Sequence, residues 1–254
     1  MFLKCVLYLL IAPWLLGVNA STNTSEVDER IVGGQLTTIS SVPYMVQIWN
    51  RGVFSCGGAL ISRNSVLTAA HCVEDGRPSD FTVVTGATKL TETGVRSKVS
   101  KLLIPKGYDS YSLHMDVAMI KLTTPITKGS AKTISFYNGT LSAGMEVQVS
   151  GWGLTKENGS VSPQIRTVKF PIIKKSTCAK QYQYELPLTS TMFCAGTPGS
   201  KDSCSGDSGG PVIYKGLVCG IVSFGVGCAR KGYPGVYTDT KVSRTFIVGA
   251  AKKL

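Results

Sequence analysis

The sequence is poor in histidine: only His71 and His114 occur among its 254 residues. Both precede Ser208, the serine of a glycine-rich run, GDSGGP, at residues 206–211. The nucleophile elbow of an α/β-hydrolase needs a histidine after its serine, so chain order excludes that class. A subtilisin-like order needs an aspartate before the histidine, and the only one, Asp28, lies in a segment that we expect to be removed. The order that remains is histidine, aspartate, serine.

Acidic residues are also scarce, with 15 Asp and Glu against 27 Lys and Arg, which gives a formal net charge of +12 at pH 7. Such a charge favours anionic partners in general. The lysines are scattered along the chain and no nucleic-acid motif is present. We therefore expect solubility and a general affinity for anions, with no nucleic-acid partner.

Long apolar runs are missing after residues 5–18, which follow Lys4 at the start of the chain. A membrane-spanning helix needs about 20 apolar residues, and Pro13 interrupts this run, so we expect no membrane anchor. The small residues at positions 18–20 are typical of a signal-peptide cleavage site. The sequence predicts a signal peptide over residues 1–20 and a secreted, extracellular product.

Cysteine is better represented, with eight residues, of which Cys5 leaves with the predicted signal peptide. The remaining number is odd, so one cysteine must be unpaired or bonded to another chain. Spacing alone leaves the connectivity open. Paired Cys or His ligands at short spacing are missing, so we predict no zinc site.

Three residues are candidates for nucleophilic catalysis. Ser208 lies between glycines, where backbone amides can turn toward a developing oxyanion. His71 closes an apolar stretch and is followed by Cys72, whose disulfide would fix its backbone, whereas the other histidine lies in a loop-like segment. Asp116 directly precedes residues 117–120, an apolar run typical of a buried strand, and could orient an imidazole.

Four motifs occur together: IVGG at residues 31–34, LTAAHC at 67–72, DVAMI at 116–120 and GDSGGP at 206–211. They resemble the trypsin-like serine proteases of the chymotrypsin family, of the secreted insect type without accessory domains. The resemblance implies an endopeptidase that works through an acyl-enzyme intermediate and needs no cofactor. By it His71 is the general base, Asp116 orients it, Ser208 is the nucleophile, and the amides of Gly206 and Ser208 form the oxyanion hole.

The composition suits a turn-rich all-β fold, with 28 glycines and 11 prolines between strand-like runs. The resemblance implies one protease domain over residues 31–254, built from two packed antiparallel six-stranded β-barrels. We place the division between the barrels near residues 125–136. Val242, Phe246 and Ile247 have a spacing that predicts a short C-terminal helix.

The resemblance also pairs the cysteines, each bridge adding about 2 to 4 kcal/mol of stability. Cys219 is left over inside a strand-like apolar run, where a free cysteine usually acts as a small buried hydrophobe. The implied bridges join Cys56 to Cys72, Cys178 to Cys194, and Cys204 to Cys228.

Residues 21–30 are polar, end at Arg30 and lead into Ile31. In the family this junction is the activation site, so the segment is predicted to be a propeptide and the chain a zymogen. Cleavage after Arg30 would free an amino group on Ile31 that pairs with Asp207. Whether the enzyme cuts its own precursor or an upstream protease does so stays open, because two acidic residues beside the cut would repel an anionic pocket.

Asp202 precedes Ser208 by six residues and predicts the charge of the substrate. The resemblance implies that this carboxylate lies at the base of a deep slot and selects Arg or Lys before the cut bond. Small residues keep the slot open, and the adjacent backbone pairs with the substrate as an added β-strand. The implied substrate-binding residues are Asp202, Ser203, Ser223, Phe224, Gly225 and Gly235.

Two departures from the common trypsin pattern affect these expectations. Phe224 stands where a tryptophan is usual, so packing against the upstream residues of a substrate would differ. Residues 85–98, where many trypsins bind calcium, carry Glu92 as their only carboxylate. Calcium takes several oxygen ligands, so we predict no such site and no metal.

We expect a monomer whose partners are protein or peptide substrates with Arg or Lys before the cut bond, and protein inhibitors of proteases. The alternative from another class is a secreted, non-catalytic protease homologue that acts as a binding or regulatory protein. Such homologues usually lose a residue of the catalytic triad. All three candidates are present in this chain.

Overall fold

The computed structural model describes residues 33–254. The predicted signal peptide, the predicted propeptide with Arg30, and Ile31 lie outside this range. Within it, strands dominate, and the two α-helices are short. Neither helix is long and apolar enough to cross a membrane.

Thirteen strands follow one another along the described chain. They are β1 (Gln35–Leu36), β2 (Met45–Asn50), β3 (Val53–Ser62), β4 (Ser65–Thr68), β5 (Phe81–Thr85), β6 (Val95–Leu103), β7 (Ala118–Leu122), β8 (Glu146–Gly151), β9 (Arg166–Ile173), β10 (Met192–Ala195), β11 (Pro211–Tyr214), β12 (Leu217–Phe224) and β13 (Gly235–Asp239). The helices are α1 (Lys175–Gln181) and α2 (Arg244–Ala251).

Strands β2 to β7 form a closed antiparallel barrel in the order β2-β3-β4-β7-β6-β5. The ladder between β2 and β5 closes it, with Val46 opposite Thr85 and Asn50 opposite Phe81. β6 shows why such a sequence forms a barrel wall, because its buried and exposed residues alternate along much of its length. The buried side chains face a continuous apolar core that includes Val66, Met119 and Ile120.

Strands β8 to β13 form the second barrel. They follow the order β9-β10-β13-β12-β11-β8, and the ladder between β8 and β9 closes the ring. β1 adds to the outside of β9, with Gln35 opposite Thr167, so the residues that follow the predicted activation site are fixed to the second barrel. The prediction of two six-stranded antiparallel barrels is confirmed.

The connection between the barrels runs from Leu122, where β7 ends, to Glu146, where β8 begins. The C-terminal helix α2 packs back on the first barrel, where its residues Ile247 and Ala250 are buried in the core. This confirms the predicted C-terminal helix, although Val242 precedes it and is exposed. The chain thus also crosses between the barrels near its two described ends, because β1 pairs with the second barrel and α2 packs on the first.

Candidate active site

His71 and Asp116 lie next to the ends of two paired strands of the first barrel. β4 ends at Thr68 and β7 begins at Ala118, and these residues are direct partners in the ladder. His71 Nδ1 lies 2.8 Å from Asp116 Oδ2, and the His71 backbone N–H donates to Asp116 Oδ1 at 3.0 Å. One carboxylate therefore holds both the ring and the backbone of the histidine.

The electrostatics of this pair favour proton uptake by the imidazole. Asp116 is fully buried. Burial lowers the pKa of His71, but the hydrogen bond and negative charge of Asp116, with the charge of Glu74, outweigh this and raise the pKa above its ordinary value. The side chain of His71 keeps 25% of its surface exposed, so the ring also faces the solvent. Such a group can serve as a general base.

The second barrel anchors Asp116 as well. Ser223 of β12 donates its hydroxyl to Asp116 Oδ2 at 2.5 Å. Thr238 of β13 donates its hydroxyl to the Asp116 backbone carbonyl at 2.9 Å. The sequence predicted Ser223 for substrate binding only, and it did not single out Thr238. Both hydroxyls are buried, and across the interface of the two barrels Ser223 fixes the carboxylate of Asp116 while Thr238 fixes its backbone.

Ser208 lies on a turn that packs against the first barrel. Its carbonyl accepts the backbone N–H of Gly57 at 2.8 Å, and Thr68 donates its hydroxyl to the Gly57 carbonyl at 2.9 Å. Gly209 has a φ of +75°, and a side chain there would collide with Thr68. The turn is thus locked against the end of β4, the strand that leads to His71.

No hydrogen bond joins Ser208 to His71 within the part of the chain that the structure describes. The ring atom Nε2 lies 3.7 Å from Cys72 Sγ instead. Catalytic hydrogen bonds are often long in the absence of substrate and tighten when it binds. His114 lies apart from the pair, with its Nδ1 at 3.5 Å from Thr191 Oγ1.

Two backbone amides next to the serine point to an oxyanion site. Neither Gly206 N–H nor Ser208 N–H donates to another group among residues 33–254, whereas Gly209 N–H and Gly210 N–H both do. Gly206 has a φ of +93° and packs closely on Gly153. Two such N–H groups, two residues apart in the same segment, can stabilise negative charge that develops beside the serine.

A cavity of about 180 Å³ opens beside Ser208. Phe224 lines one wall and packs edge-on against Tyr182, with ring centroids 5.8 Å apart. Gly225 belongs to the same wall, and a Cβ there would make an ordinary van der Waals contact with the Gly227 carbonyl at 3.4 Å. The cavity is lined by Ser203, Cys204, Ser205, Ser208, Val222, Ser223, Phe224, Gly225 and Gly227.

Asp202 lies behind this lining and is only 3% exposed. Its carboxylate accepts backbone N–H groups from Ser203 at 2.8 Å and from Ala229 at 2.9 Å. A side chain on Gly235 would come within 2.7 Å of the carboxylate, so glycine is required there. Burial raises the pKa of Asp202 to about 7. The site therefore holds a desolvated carboxylate that lacks a cationic partner within the described residues.

The sequence profile of the trypsin family matches residues 31–247 of the chain. The chain belongs to the trypsin family of serine proteases. It is 40% identical over 228 residues to seminase of Drosophila melanogaster, which covers 89% of this chain and 83% of that protein. Trypsin alpha of the same species is 39% identical over 232 residues, with 90% of each chain covered.

The vitellin-degrading protease of Bombyx mori is 38% identical over 244 residues, which covers 94% of this chain and 92% of that protein. The resemblance inferred from the four motifs is thus confirmed. Because trypsins are among its relatives, the chain is a serine endopeptidase that acts on protein substrates. The comparisons support the enzyme over the non-catalytic homologue.

Asp207 is the third buried carboxylate of this trypsin-family site, after Asp116 and Asp202, and is 0% exposed. It accepts backbone N–H groups from Gly153 at 2.8 Å and from Cys204 at 3.0 Å. Burial raises its pKa to about 6. A side chain on Gly151 or Gly153 would collide with it. No cationic side chain pairs with it among residues 33–254, and Ile31 lies outside the described range.

Three disulfides brace the site. Cys56 bonds Cys72 beside the histidine, Cys204 bonds Cys228 at the cavity wall, and the third joins Cys178 of α1 to Cys194 of β10. Cys219 is free and buried, with its Sγ 3.4 Å from the Val212 carbonyl. Burial raises the pKa of Cys219 to about 12, so its thiol stays protonated and unreactive at neutral pH.

One cluster of metal-ligand residue types occurs within the described range, formed by Cys56, His71 and Cys72. The two sulfurs are bonded to each other, so neither is a thiolate. A metal site at these cysteines needs thiolate ligands. The cluster therefore follows from the disulfide beside the histidine and does not fit a metal ion.

An ion pair at the cavity rim was not predicted from the sequence. Arg230 Nε donates to both carboxylate oxygens of Glu157, at 2.9 and 3.1 Å. A side chain on Gly227, which lines the cavity, would collide with both partners. The pair thus links the loop after β8 to the wall of the cavity. Its members lie 73 residues apart, and only their opposite charges could have suggested it.

Proposed function

We propose that this trypsin-family enzyme is a secreted zymogen, activated by cleavage after Arg30, that hydrolyses peptide bonds after Arg or Lys through an acyl-enzyme intermediate. The observation that carries the proposal is the 2.8 Å contact of His71 with the buried Asp116 at the strand end on which the Ser208 turn packs. In this proposal Ser208 is the nucleophile, His71 the base and Asp116 the orienting acid of a site at the interface of the two barrels.

In the proposed reaction Ser208 Oγ attacks the scissile carbonyl carbon while His71 Nε2 accepts the hydroxyl proton. Asp116 keeps the proton on Nδ1 and stabilises the imidazolium that forms. The developing oxyanion receives the N–H groups of Gly206 and Ser208, and one such donor stabilises the transition state by about 3 to 4 kcal/mol. His71 then protonates the leaving amine, and water activated by the same imidazole hydrolyses the acyl-enzyme.

The proposed preference for Arg or Lys depends on Asp202. A buried carboxylate without a cation favours the neutral form, as its raised pKa indicates. A guanidinium or ammonium that enters the cavity favours the ionised form and gains a charge-assisted contact. Ser203 has its hydroxyl 3.0 Å from that of Tyr237 and could share a lysine ammonium. Ser223 to Gly225 offer the backbone edge along which a substrate would extend.

Zymogen activation is proposed from Asp207 and the sequence at residues 30 and 31. Asp207 is buried, carries a raised pKa, and has no cation among residues 33–254. Its backbone contacts reach Gly153 and Cys204, which flank the oxyanion turn and the cavity. A new amino group on Ile31 would supply the missing positive charge and order both the oxyanion turn and the cavity. Removing one partner of such a buried pair commonly costs about 3 to 5 kcal/mol.

Secretion is proposed from the signal-peptide pattern of residues 1–20 and is supported by the three disulfides, which persist in oxidising compartments. The protease domain would then comprise residues 31–254, and residues 21–30 would be removed on activation. Sequencing the N-terminus of the secreted precursor tests this order. We expect it to begin at Ser21, and a precursor that stays attached to membranes would contradict it.

Kinetics on small amides test the proposed specificity and the proposed zymogen activation. For the form that begins at Ile31, kcat/KM on Arg and Lys amides should exceed kcat/KM on Phe and Ala amides by at least about 10³-fold. The reason is that a buried charge rejects neutral side chains. Its Ser208→Ala variant is the matched inactive control. Arg30→Gln should keep the precursor inactive. Preference for Phe would contradict the specificity, and full activity of the Arg30→Gln precursor would contradict the zymogen.

A further inference from the structure

The outer side of the first barrel carries four cations on two neighbouring strands. β6 alternates buried and exposed residues, so Arg96 and Lys98 lie on its outer side. Further along β6, Lys101 is exposed and pairs directly with Lys121 of β7. We call Arg96, Lys98, Lys101 and Lys121 the basic face.

The charges of the basic face have no ionic partner among residues 33–254. Like charges directly opposite each other in an antiparallel ladder destabilise a sheet, and Lys101 and Lys121 are such a pair. No ion pair involves any residue of the face within the described range. Arg96 instead lies over the ring of Trp49, 5.4 Å from its centroid. The six strands of this barrel contain no Asp or Glu.

The positive surface continues beyond β7. Lys121 also pairs with Ser65 of β4, and Arg63 precedes that serine by two residues. Arg63 lines a cavity of about 300 Å³ together with Lys128 and Lys132, and no acidic residue contributes to its lining. The basic face and this cavity together give the first barrel an extended cationic side. Charges placed in this way do not stabilise the fold. They would stabilise a bound anionic ligand.

The polar character of the surroundings selects the kind of anion. The large hydrophobic residues that are exposed in the described chain all lie elsewhere. Around the basic face the neighbours are hydroxyl residues, such as Thr82 opposite Lys98 and the exposed Ser100 between the lysines. Protein interfaces rely on several aromatic and apolar anchors at their centres, whereas the basic face offers one half-buried ring, that of Trp49, which lies under Arg96. A hydrophilic polymer with repeated anionic groups fits it better than an acidic protein does.

We propose that the basic face binds a linear sulfated polysaccharide. Alternate residues of a strand lie about 7 Å apart, which is the spacing of Arg96 and Lys98. The register shift between Val99 and Lys101 leaves Lys101 exposed as well, so the three side chains present a row of cations to an extended chain. The neighbouring hydroxyls can bond to sulfate and sugar oxygens. The binding surface lies on β6 and β7, apart from the cavity beside Ser208, and the inference does not depend on the proposed peptide specificity or activation. It gives the protease a means of concentrating on a glycan-bearing surface.

Heparin is the probe for the test, with the full chain carrying Ser208→Ala to prevent self-digestion. The basic-face variant combines Lys98→Gln, Lys101→Gln and Lys121→Gln. The matched control combines Lys169→Gln, Lys174→Gln and Lys180→Gln, which removes the same charge from exposed lysines of the second-barrel side. Dissociation constants are measured by calorimetry across a series of salt concentrations, and thermal unfolding is measured for each variant.

Each lysine that faces a polyanion contributes about fivefold to affinity, so the basic-face variant should bind heparin about a hundredfold more weakly. The control should lose no more than about threefold. Unfolding of the basic-face variant should occur at the same temperature or higher, because the repulsion of Lys101 and Lys121 is gone. If the triple variant fails to fold, Lys98→Gln alone should weaken binding about fivefold.

Three outcomes would overturn the inference. Equal losses in the two triple variants would mean that net charge alone attracts heparin. Undiminished binding by the basic-face variant would place the site elsewhere. Poly-glutamate of matched charge that binds as tightly as heparin would show an acidic polypeptide to be an equal ligand, which contradicts the assignment to a sulfated polysaccharide.

Discussion

The two barrels contribute different kinds of groups to the site. The first barrel supplies His71 and Asp116 next to the ends of paired strands, with the ring and carboxylate 2.8 Å apart. The second supplies Ser208, Asp202 and Asp207, all of which lie in the connection between β10 and β11. Strand ends are fixed by the barrel ladder, whereas these three residues are held by hydrogen bonds from distant segments, at Gly57, Ala229 and Gly153.

The carboxylates show the same contrast. Asp116 has an imidazole and a hydroxyl as partners. Asp202 and Asp207 receive only backbone N–H groups within the described range, and burial raises their pKa values to about 7 and about 6. The carboxylate of Asp116 is thus paired with His71, whereas Asp202 and Asp207 each lack a cationic partner among residues 33–254. The proposed function assigns one cation to the substrate and the other to Ile31.

The largest effects should come from the catalytic groups themselves. Ser208→Ala should lower kcat on an Arg amide by about 10⁶-fold, as loss of a serine nucleophile does elsewhere. Asp116→Asn should lower it by about 10⁴-fold, because the wrong tautomer of His71 is then stabilised. Ser160→Ala, on an exposed loop, is the control and should leave kcat unchanged. A Ser208→Ala enzyme that retained turnover would exclude this serine as the nucleophile.

Removing the pocket carboxylate should come next. Asp202→Ser should lower kcat/KM on Arg and Lys amides by about 10⁴-fold, because the substrate cation is then desolvated without a partner. Folding should persist, since burial of an unpaired carboxylate does not stabilise the chain. Asp109→Ser, at an exposed carboxylate, should change neither quantity. An unaltered substrate profile for Asp202→Ser would show that Asp202 does not determine the preference for Arg or Lys.

The pH dependence of stability distinguishes the two forms of the chain. In the precursor the raised pKa of Asp207 means that the folded state holds a proton that the unfolded state releases, so stability falls as pH rises from about 4 to about 6. The loss approaches about 3 kcal/mol and persists above that window. A chain that begins at Ile31 pairs the carboxylate with an ammonium, which lowers the pKa and removes the loss.

Thermal unfolding of both forms, each carrying Ser208→Ala, measures this difference. Asp202 titrates in both forms and cancels from the comparison. Identical curves of melting temperature against pH would argue that the new amino group does not reach Asp207. Adding Asp207→Asn to both chains should make their curves coincide.

The smallest effect concerns the rim of the cavity. Arg230→Ala should raise KM for Arg and Lys amides about two- to fivefold and leave kcat unchanged, because the exposed pair with Glu157 only positions the wall at Gly227. Exchanging the two charges, with Glu157→Arg and Arg230→Glu together, should restore KM. Failure of the exchange, or a change in kcat, would mean that these residues act in another way.

Local patterns in the sequence predicted an all-β chain with a C-terminal helix, whereas the two barrels and the roles of the candidate residues came from the resemblance of four motifs to a known family. The alternation in β6 and the apolar run after Asp116 depend only on near neighbours in the chain. The contact of Ser223 with Asp116 spans 107 residues, and Ser223 lies at the register shift between Val222 and Phe224 of β12. The opposition of Lys101 and Lys121 likewise depends on a shift within β6. Such registers are set by closure of the barrels, which no local pattern specifies.

The most direct test of the account is the activity of one chain before and after a single cut. The secreted precursor is assayed on an Arg amide, cleaved after Arg30, and assayed again under the same conditions. We expect kcat/KM to rise by at least about 10³-fold, because a new ammonium that pairs with Asp207 orders the oxyanion turn and the cavity. Equal activity before and after the cut would contradict the claim that Asp207 needs the ammonium of Ile31 to order the oxyanion turn and the cavity.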